Sequence, residues 1–389
     1  MKDLELYIHI PFCMKKCQYC DFLSAPASES VRQAYVEQLL REIRTNGMQY
    51  RDYQVTSVFV GGGTPSVLSA RQMHCLLEQL ESSFSILPDA EITVECNPGT
   101  VDAVKLQGYL ESGVNRLSMG LQSADAQELR LLGRIHTFEQ FAENYELARK
   151  MGFRNINVDL MSALPGQKIG VYEKTLRQVL ELRPEHISAY SLMIEEGTPF
   201  FDRYAQAELL REKGKEQRLL PTEEEERQMY ELTKELLKCV GYRRYEISNY
   251  ALEGFACRHN IGYWQRKNYL GLGLGAASLI ENVRFSNTKS LNKYLKINFI
   301  KTESAVIERA KLNIFEQMEE FMFLGLRMMY GVSAEKFKGE FFKTIEQVYG
   351  MVLDRQLQDG FIKKTQDGYC LTDYGIDISN YVMSEYLFE

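Results

Sequence analysis

Residues 7–22 read YIHIPFCMKKCQYCDF, and the cysteines within them, Cys13, Cys17 and Cys20, are spaced C-x3-C-x2-C. Cysteine thiolates hold 4Fe-4S clusters, usually four per cluster. Three thiolates on one short loop therefore predict a cluster whose fourth iron is open to an exogenous ligand. A closed zinc site needs four protein ligands, and no fourth candidate stands at a suitable spacing nearby. Three unrelated buried thiols are the remaining alternative, because free cysteine is often buried.

The composition limits the class of protein. The chain has 389 residues, 45% of them hydrophobic, which allows one large α/β domain and a smaller one. A net charge of −7 argues against a general nucleic-acid binder. Eight cysteines, three of them in a cluster pattern, indicate a reducing compartment. No signal peptide is visible, and the most apolar run, residues 269–280, is too short to span a bilayer. We expect a cytoplasmic protein. The sequence does not decide whether it contacts a membrane peripherally.

Hydrophobic periodicity predicts six units of a strand followed by a helix. Ser69 with Gln72 and Thr222 with Glu225 fit capping boxes at two of the helix starts. Strands that alternate with helices predict a parallel sheet with right-handed crossovers. The predicted strands are 4–10, 55–60, 91–96, 115–121, 154–160 and 186–193, and the predicted helices are 31–44, one opening at Ser69, 101–110, 138–151, 171–182 and 223–240.

The remaining chain has a different pattern. The charged segment 203–221 predicts an insertion, helical or looped, that lies over solvent. Beyond residue 280 we predict helices at 316–329 and 344–357, a β-hairpin at 361–371 with Asp367-Gly368 at its turn, and a closing helix after Thr372. This predicts two domains, 1–280 and 281–389, the second a small α+β domain that resembles a winged helix. The acidic charge balance favours packing or a protein partner over DNA.

The cysteine loop resembles that of the radical S-adenosylmethionine (SAM) superfamily. Its flanks, Y-x-H-I-P-F-C and Y-C-D-F, resemble the HemN/HemW branch, which contains oxygen-independent coproporphyrinogen III oxidases and heme chaperones. The resemblance implies a partial (β/α)6 barrel in which Cys13, Cys17 and Cys20 hold a 4Fe-4S cluster beside SAM. The oxidases have a further cysteine where this chain has Phe22, and a long extension before the motif where this chain has only twelve residues. Both departures favour the chaperone side.

Polar residues and glycines stand at the predicted strand ends, where functional residues gather in parallel α/β sheets. Glycines in the turn Gly61-Gly62-Gly63-Thr64-Pro65 let the backbone approach a ligand, although a tight strand-to-helix turn would also explain them. The alternative for the polar residues is a buried network that braces the barrel mouth. The resemblance implies SAM or cluster contacts at Tyr7, Tyr19, Gly62, Gly63, Thr64, Glu95, Gln122, Arg134 and Asp159. In the oxidases some of these positions bind a second SAM molecule. Whether a second SAM binds to this chain is left undecided.

A second informative stretch, residues 257–264, reads CRHNIGYW and precedes a glycine-rich strand. It resembles the H-N-x-x-Y-W signature of the chaperone side. The resemblance implies a heme contact at His259, since an imidazole can be an axial heme ligand. A structural loop buttressed by His259 and Trp264 is an equal alternative, and a Cys257 thiolate is a less favoured ligand.

Two functions follow from the resemblance. A heme chaperone would bind the cluster, SAM and heme and would deliver heme to recipient hemoproteins. A radical SAM oxidase would decarboxylate propionate side chains of coproporphyrinogen III. The missing cysteine at Phe22 and the short N-terminus favour the chaperone. We also expect an electron donor for the cluster as a partner. The sequence does not decide whether the protein forms a homodimer. It identifies no catalytic residue.

Overall fold

Six parallel strands form the centre of the fold, as the sequence predicts. The computed structural model describes residues 1–301 and 303–388, and within them each of these strands is followed by at least one helix. Neighbouring strands pair in chain order, in parallel. In chain order the elements are β1 (Lys2–Ile10), α1 (Glu29–Gln49), β2 (Tyr53–Gly62), α2 (Ala70–Ser83), β3 (Ser85–Cys96), α3 (Ala103–Glu111), β4 (Arg116–Gln122), α4 (Ala126–Leu132), α5 (Phe138–Met151), β5 (Ile156–Ser162), α6 (Ile169–Leu182), β6 (His186–Ser191), α7 (Pro199–Glu212) and α8 (Glu223–Cys239).

The two faces of β1 show how the barrel is built. Leu6 and Ile8 alternate with Glu5, Tyr7 and His9 along the strand. The aliphatic residues belong to the main hydrophobic core beneath α1, and each fully buried side chain contributes about 1.5–3 kcal/mol. Because successive side chains of a strand point to opposite faces, the polar and aromatic residues line the inside of the partial barrel.

The sheet extends at both edges beyond the six predicted strands. Within the described residues it has 12 strands in the order β12-β11-β10-β9-β1-β2-β3-β4-β5-β6-β8-β7. β9 pairs in parallel with β1, and the outer strands are antiparallel. The elements of this part are β7 (Arg243–Glu246), β8 (Asn249–Ala251), α9 (Arg258–Trp264), β9 (Tyr269–Leu272), β10 (Ala277–Ile280), β11 (Val283–Asn287), α10 (Leu291–Tyr294) and β12 (Val306–Lys311).

A small α+β domain with its own hydrophobic core ends the chain. Its three-stranded antiparallel sheet contains the predicted hairpin, with β15 between β13 and β14. The predicted division at residues 280 and 281 stays a prediction; β11 and β12, which follow it, pair with the large sheet. The elements are α11 (Ile314–Gly325), β13 (Val332–Ser333), α12 (Ala334–Phe341), α13 (Ile345–Gln358), β14 (Ile362–Lys364), β15 (Gly368–Leu371), α14 (Asp373–Asp377) and α15 (Ser379–Ser384).

Local signals in the sequence are confirmed at the helix starts. Ser69 and Gln72 form a capping box at α2, and Thr222 and Glu225 form one at α8. Each box satisfies backbone N–H groups that the first helical turn leaves without partners. In the part of the chain that the structure describes, no helix is both long enough and apolar enough to span a bilayer.

Candidate functional site

The cysteine loop leaves the carboxyl end of β1 and is fixed at three points. The Cys13 N–H donates to the Ala25 carbonyl (3.3 Å), and the Ala25 N–H donates back to the Pro11 carbonyl (3.1 Å). In the middle of the loop, the Gln18 N–H donates to the carbonyl of Leu132 at the end of α4 (3.0 Å). The loop therefore has a defined conformation at the barrel mouth.

The three motif cysteines are free thiols on this loop. Cys13 is buried, and Cys17 and Cys20 are partly exposed. Burial raises the pKa of the Cys13 and Cys20 thiols. Metal binding would have to release their protons, because the thiolate is the ligand. In residues 1–301 and 303–388 no group of three or more His, Cys, Asp or Glu side chains could hold one metal ion. A cubane cluster bonds each cysteine to a different iron, so it does not require three sulfurs to meet at one ion.

The glycine turn after β2 lies directly against the cysteine loop. The Gly63 N–H donates to the Ile10 carbonyl (2.9 Å), and the Thr64 N–H donates to the Phe12 carbonyl (2.7 Å). A Cβ on Gly63 would lie 2.5 Å from the Phe12 carbonyl oxygen. Gly62 has φ +113°, and a Cβ there would lie 2.6 Å from the ring of His9. Gly63 is required because two backbone segments approach closely, and Gly62 is required because of its positive φ and the nearby His9 ring.

Glu95, at the end of β3, faces this turn. Its Oε2 accepts a hydrogen bond from the Gly62 N–H (3.0 Å). The pKa of Glu95 is raised to about 8, mainly by burial and also by the nearby Asp159 carboxyl group, while the hydrogen bond from Gly62 opposes the rise. A carboxyl group that is held in place and poorly hydrated can accept hydrogen bonds from ligand hydroxyls or an ammonium group.

Asn97 connects the glycine turn to Arg134. Its Nδ2 donates to Thr64 Oγ1 (2.7 Å), and its Oδ1 accepts from Arg134 Nη2 (2.8 Å). Arg134 Nη1 lies 3.8 Å from Cys17 Sγ, and Arg134 Nη2 also donates to the Gly120 carbonyl. Arg134 Nε is buried with no hydrogen-bond partner among the described residues. The guanidinium therefore places positive charge beside the motif cysteine Cys17.

Gln122 ends β4, whereas Asp159 lies in the middle of β5 and not at its end as predicted, because this strand continues to Ser162. Gln122 adopts φ +74°, which is uncommon for a residue other than glycine and often marks functional sites. Its Oε1 accepts from the Tyr190 hydroxyl (3.3 Å). Asp159 Oδ1 accepts from Asn157 Nδ2 (2.7 Å), and burial raises the pKa of Asp159.

Tyr7 and His9 form a directed pair on β1. His9 Nε2 is 2.9 Å from the Leu23 carbonyl, which can only accept, so Nε2 carries the proton. His9 Nδ1 then accepts from the Tyr7 hydroxyl (3.0 Å). This assignment follows from the hydrogen-bond network. Burial lowers the pKa of His9, so the imidazole is neutral.

Tyr19 packs against the start of α7, just before the charged segment 203–221, which is partly helical and mostly exposed as predicted. The Tyr19 and Phe200 ring centroids are 6.4 Å apart. The Phe200 N–H donates to the Gln18 carbonyl (3.0 Å), and Arg203 Nη2 donates to Gln18 Oε1 (3.1 Å). The helix covers the cysteine loop because Phe200 buries its whole side chain there.

Two cavities adjoin these residues. The first, which we call the mouth cavity, has a volume of about 500 Å³, and Tyr7, Gly62, Glu95 and Lys16 are among its lining residues. The second, which we call the aromatic cleft, has about 380 Å³ and is lined mainly by Tyr7, Tyr263, Trp264, Tyr269, Phe323 and Leu324. The cavities share Tyr7 and Ala277 in their walls. Both volumes are in the usual range for ligand sites.

His259 lies apart from the mouth, on α9 beneath the aromatic cleft. It is 1% exposed, and both ring nitrogens have partners, Nδ1 with Ser57 Oγ (2.8 Å) and Nε2 with the Tyr263 hydroxyl (3.1 Å). The Phe59 ring stacks on it at 5.2 Å. Burial, and then the charge of Arg116, lower the pKa of His259 to about 3, so the imidazole is neutral.

The structure thus gathers most of the predicted site residues at the carboxyl edge of the sheet and leaves His259 elsewhere. The glycine turn, Glu95, Gln122 and Arg134 lie at or after the ends of neighbouring strands, Tyr7 and Asp159 lie within β1 and β5, and the cysteine loop, which includes Tyr19, follows β1. Sequence reasoning missed Asn97, although its position directly after a strand could have indicated a role. The contacts of the predicted site residues with SAM, the cluster or heme remain predictions.

Comparisons with known proteins agree with this architecture. Residues 7–179 match the radical SAM superfamily, and residues 315–378 match the HemN C-terminal domain. "Heme chaperone HemW" of Lactococcus lactis is 35% identical over 388 residues, covering 100% of this chain and 98% of that protein. "Heme chaperone HemW" of Escherichia coli is 33% identical over 395 residues, covering 100% of this chain and 99% of that protein.

Among solved structures, the coproporphyrinogen III oxidase HemN from Escherichia coli superposes with a TM-score of 0.83 at 23% identity, covering 99% of this chain and 90% of that chain. This likeness shows a common fold. The full-length similarity to the chaperones decides between the two branches. The chain belongs to the HemW family of the radical SAM superfamily.

Proposed function

We propose that this protein is a heme chaperone that carries a 4Fe-4S cluster and SAM at its barrel mouth, binds heme, and transfers the heme to recipient hemoproteins in the cytoplasm. The observation that carries the proposal is the full-length similarity to relatives named heme chaperones, at 33–35% identity. The exposed Phe22 stands where the oxidases have a further cysteine.

The cluster and SAM are supported by the contact between two loops. Cys13, Cys17 and Cys20 would each bind one iron, and the fourth iron would stay open to SAM. Gly62 and Glu95 line the mouth cavity, so the glycine turn would let the backbone approach SAM closely and the Glu95 carboxyl group would accept hydrogen bonds from the ammonium or ribose hydroxyl groups of SAM. The cluster would supply one-electron chemistry, and an electron donor would reduce it. Whether SAM is cleaved or only stabilises the fold by mass action is a separate question.

Heme binding is supported by the aromatic cleft. Its tyrosines, Trp264, Phe323 and Leu324 offer apolar surface to a flat ring, as ligand sites commonly do. Arg284 stands at the cleft, paired with Glu320 (2.7 Å), and could meet a propionate carboxylate. The cleft adjoins the mouth cavity at Tyr7, so heme and SAM would be neighbours.

One paired experiment tests the proposal. Anaerobically reconstituted protein is titrated with hemin and, separately, incubated with coproporphyrinogen III, SAM and a reductant. We expect stable hemin binding, about one 4Fe-4S cluster per chain, and unchanged coproporphyrinogen. Cys17→Ala should lose the cluster, and the control Cys239→Ala, at an exposed cysteine outside the motif, should keep it. Decarboxylated product, or a chain that binds no hemin, would overturn the proposal.

A further inference from the structure

The aromatic cleft lies between the large sheet and the small domain that ends the chain, and its walls contain a pair of opposite charges. Tyr269 comes from β9 of the sheet, whereas Phe323 and Leu324 come from α11 of the small domain. Among the described residues that line the cleft, Arg284 of β11 and Glu320 of α11 carry charge, and the others are aromatic or aliphatic. A flat apolar ligand in this cleft would therefore meet charged groups at Arg284 and Glu320.

Glu320 has a second cationic partner besides Arg284. Its Oε1 accepts from Arg284 Nη2 (2.7 Å), and its Oε2 accepts from Arg266 Nε (3.1 Å). Arg266 is fixed in turn, because its Nη1 donates to Glu340 Oε1 (3.1 Å) and its Nη2 donates to Asn282 Oδ1 (2.9 Å). The Arg266 side chain is only 4% exposed. Glu320 would therefore keep a firmly held arginine if Arg284 turned away.

Arg284 is the partner that is free to turn. Its side chain is 45% exposed, and in the described part of the chain its guanidinium makes one hydrogen bond, to Glu320. A guanidinium has five N–H donors, so most donors of Arg284 remain for a ligand. Ion pairs of exposed side chains contribute little to stability, because water screens them. Moving Arg284 from Glu320 to a ligand therefore costs little.

We propose that Arg284 recognises a carboxylate of the porphyrin ligand in the aromatic cleft, and that it leaves Glu320 for that carboxylate while Arg266 keeps Glu320 paired. This inference rests on the proposed function. Heme carries propionate carboxylates, and arginine binds a carboxylate through two parallel, charge-assisted hydrogen bonds. The step exchanges one ionic contact for another, and no covalent bond forms or breaks. The cleft thus selects a flat ring by its acidic side chains and disfavours an uncharged ring of the same shape.

Other cations near the site fit a ligand carboxylate less well. Lys16 and Lys289 line the mouth cavity and not the aromatic cleft. Lys16 already donates to the Phe22 carbonyl (3.1 Å), and an ammonium group lacks the planar fork that matches a carboxylate. Arg266 is buried and already paired. Arg284 is therefore the cation that a ring in the cleft would reach directly.

The test compares hemin with its dimethyl ester, in which the propionates are uncharged. Anaerobically reconstituted full-length protein is titrated with each compound, followed by absorbance, in the same mixture of buffer and organic solvent. The wild type should bind hemin about tenfold or more tightly than the ester, equal to about 1.4 kcal/mol. Arg284→Gln should reduce that ratio to about one by weakening hemin binding. The control Arg309→Gln should keep the ratio, because Arg309 packs on Phe285, on the opposite face of the sheet from Arg284.

Glu320→Gln tests the exchange of partners. The substitution removes the carboxylate that competes for Arg284, and it leaves Arg266 paired with Glu340. The preference for hemin over the ester should therefore rise about two- to fivefold, the range expected for an exposed ion pair. A purely structural role of Glu320 would change the affinities for both compounds alike and leave their ratio unchanged.

The outcomes separate the two proposals. Wild-type protein that binds no hemin refutes the proposed function itself. Equal affinity for hemin and the ester, or a hemin preference that survives in Arg284→Gln, refutes only the recognition of a carboxylate by Arg284. An unchanged or lower preference in Glu320→Gln refutes the exchange of partners. Circular dichroism and cluster content establish that each variant is folded.

Discussion

Replacing Gly63 by alanine tests the contact between the glycine turn and the cysteine loop. The added Cβ would lie 2.5 Å from the Phe12 carbonyl oxygen and 2.9 Å from Ser24 Cβ. Because the closest neighbour is backbone, one of the two loops must move. Overpacking of this kind costs about 1–3 kcal/mol. The shift also endangers the hydrogen bonds from Gly63 and Thr64 into the cysteine loop, each contributing about 0.5–1.5 kcal/mol.

The sum is about 2–6 kcal/mol, and its lower end corresponds to about a 30-fold loss of SAM affinity if SAM binds only to the undisturbed turn. The assay is equilibrium binding of SAM to anaerobically reconstituted protein, with thermal unfolding measured in parallel. The matched control is Gly108→Ala in α3, where a Cβ would meet nothing within 4 Å. That variant should gain about 1 kcal/mol from helix propensity and bind SAM normally. Wild-type SAM affinity in Gly63→Ala would refute the argument.

Three further predictions concern the same region. Arg134→Gln removes a positive charge beside Cys17, so the cluster's midpoint potential should become more negative, as measured by redox titration; an unchanged potential would contradict this. Glu95 has a pKa raised from 4.5 to about 8 in the folded chain, so its contribution to the stability of the apo protein is fully present below about pH 4.5 and is lost as pH rises through about 8. Urea unfolding across that window should show a smaller pH dependence in Glu95→Gln, and equal slopes would refute the prediction. Phe200→Ala should cost about 3–5 kcal/mol locally and expose α7 to limited proteolysis, whereas Leu209→Ala, 41% exposed on the same helix, should not; identical cleavage in both variants would show that Phe200 does not anchor the helix.

Local signals explain what the sequence predicts well. The helix Phe138–Met151 begins and ends where the hydrophobic periodicity predicts, and Thr137 caps its N-terminus. The six parallel strands are predictable because each is an apolar run followed by a helix. The cysteine loop and the glycine turn are predictable because their residue types are constrained at fixed spacing.

The features that the sequence does not predict depend on contacts between distant parts of the chain. The outer strands β7 to β12 are short, and most are stabilised by pairing that no local pattern reveals. Segment 203–221 is highly charged, but Phe200, just before it, anchors its helix on the cysteine loop. The motif around His259 does not show that Ser57 and Glu5 surround the imidazole, because both residues come from strands at the other end of the sequence.

The most direct measurement of the central claim is the electron paramagnetic resonance spectrum of the reduced protein with and without SAM. If Cys13, Cys17 and Cys20 hold a cluster whose fourth iron is open to SAM, the spectrum should be that of a reduced 4Fe-4S cluster, and SAM should change its g values. A spectrum that SAM leaves unaltered, or a cluster that persists in Cys13→Ala, Cys17→Ala and Cys20→Ala, would contradict the account.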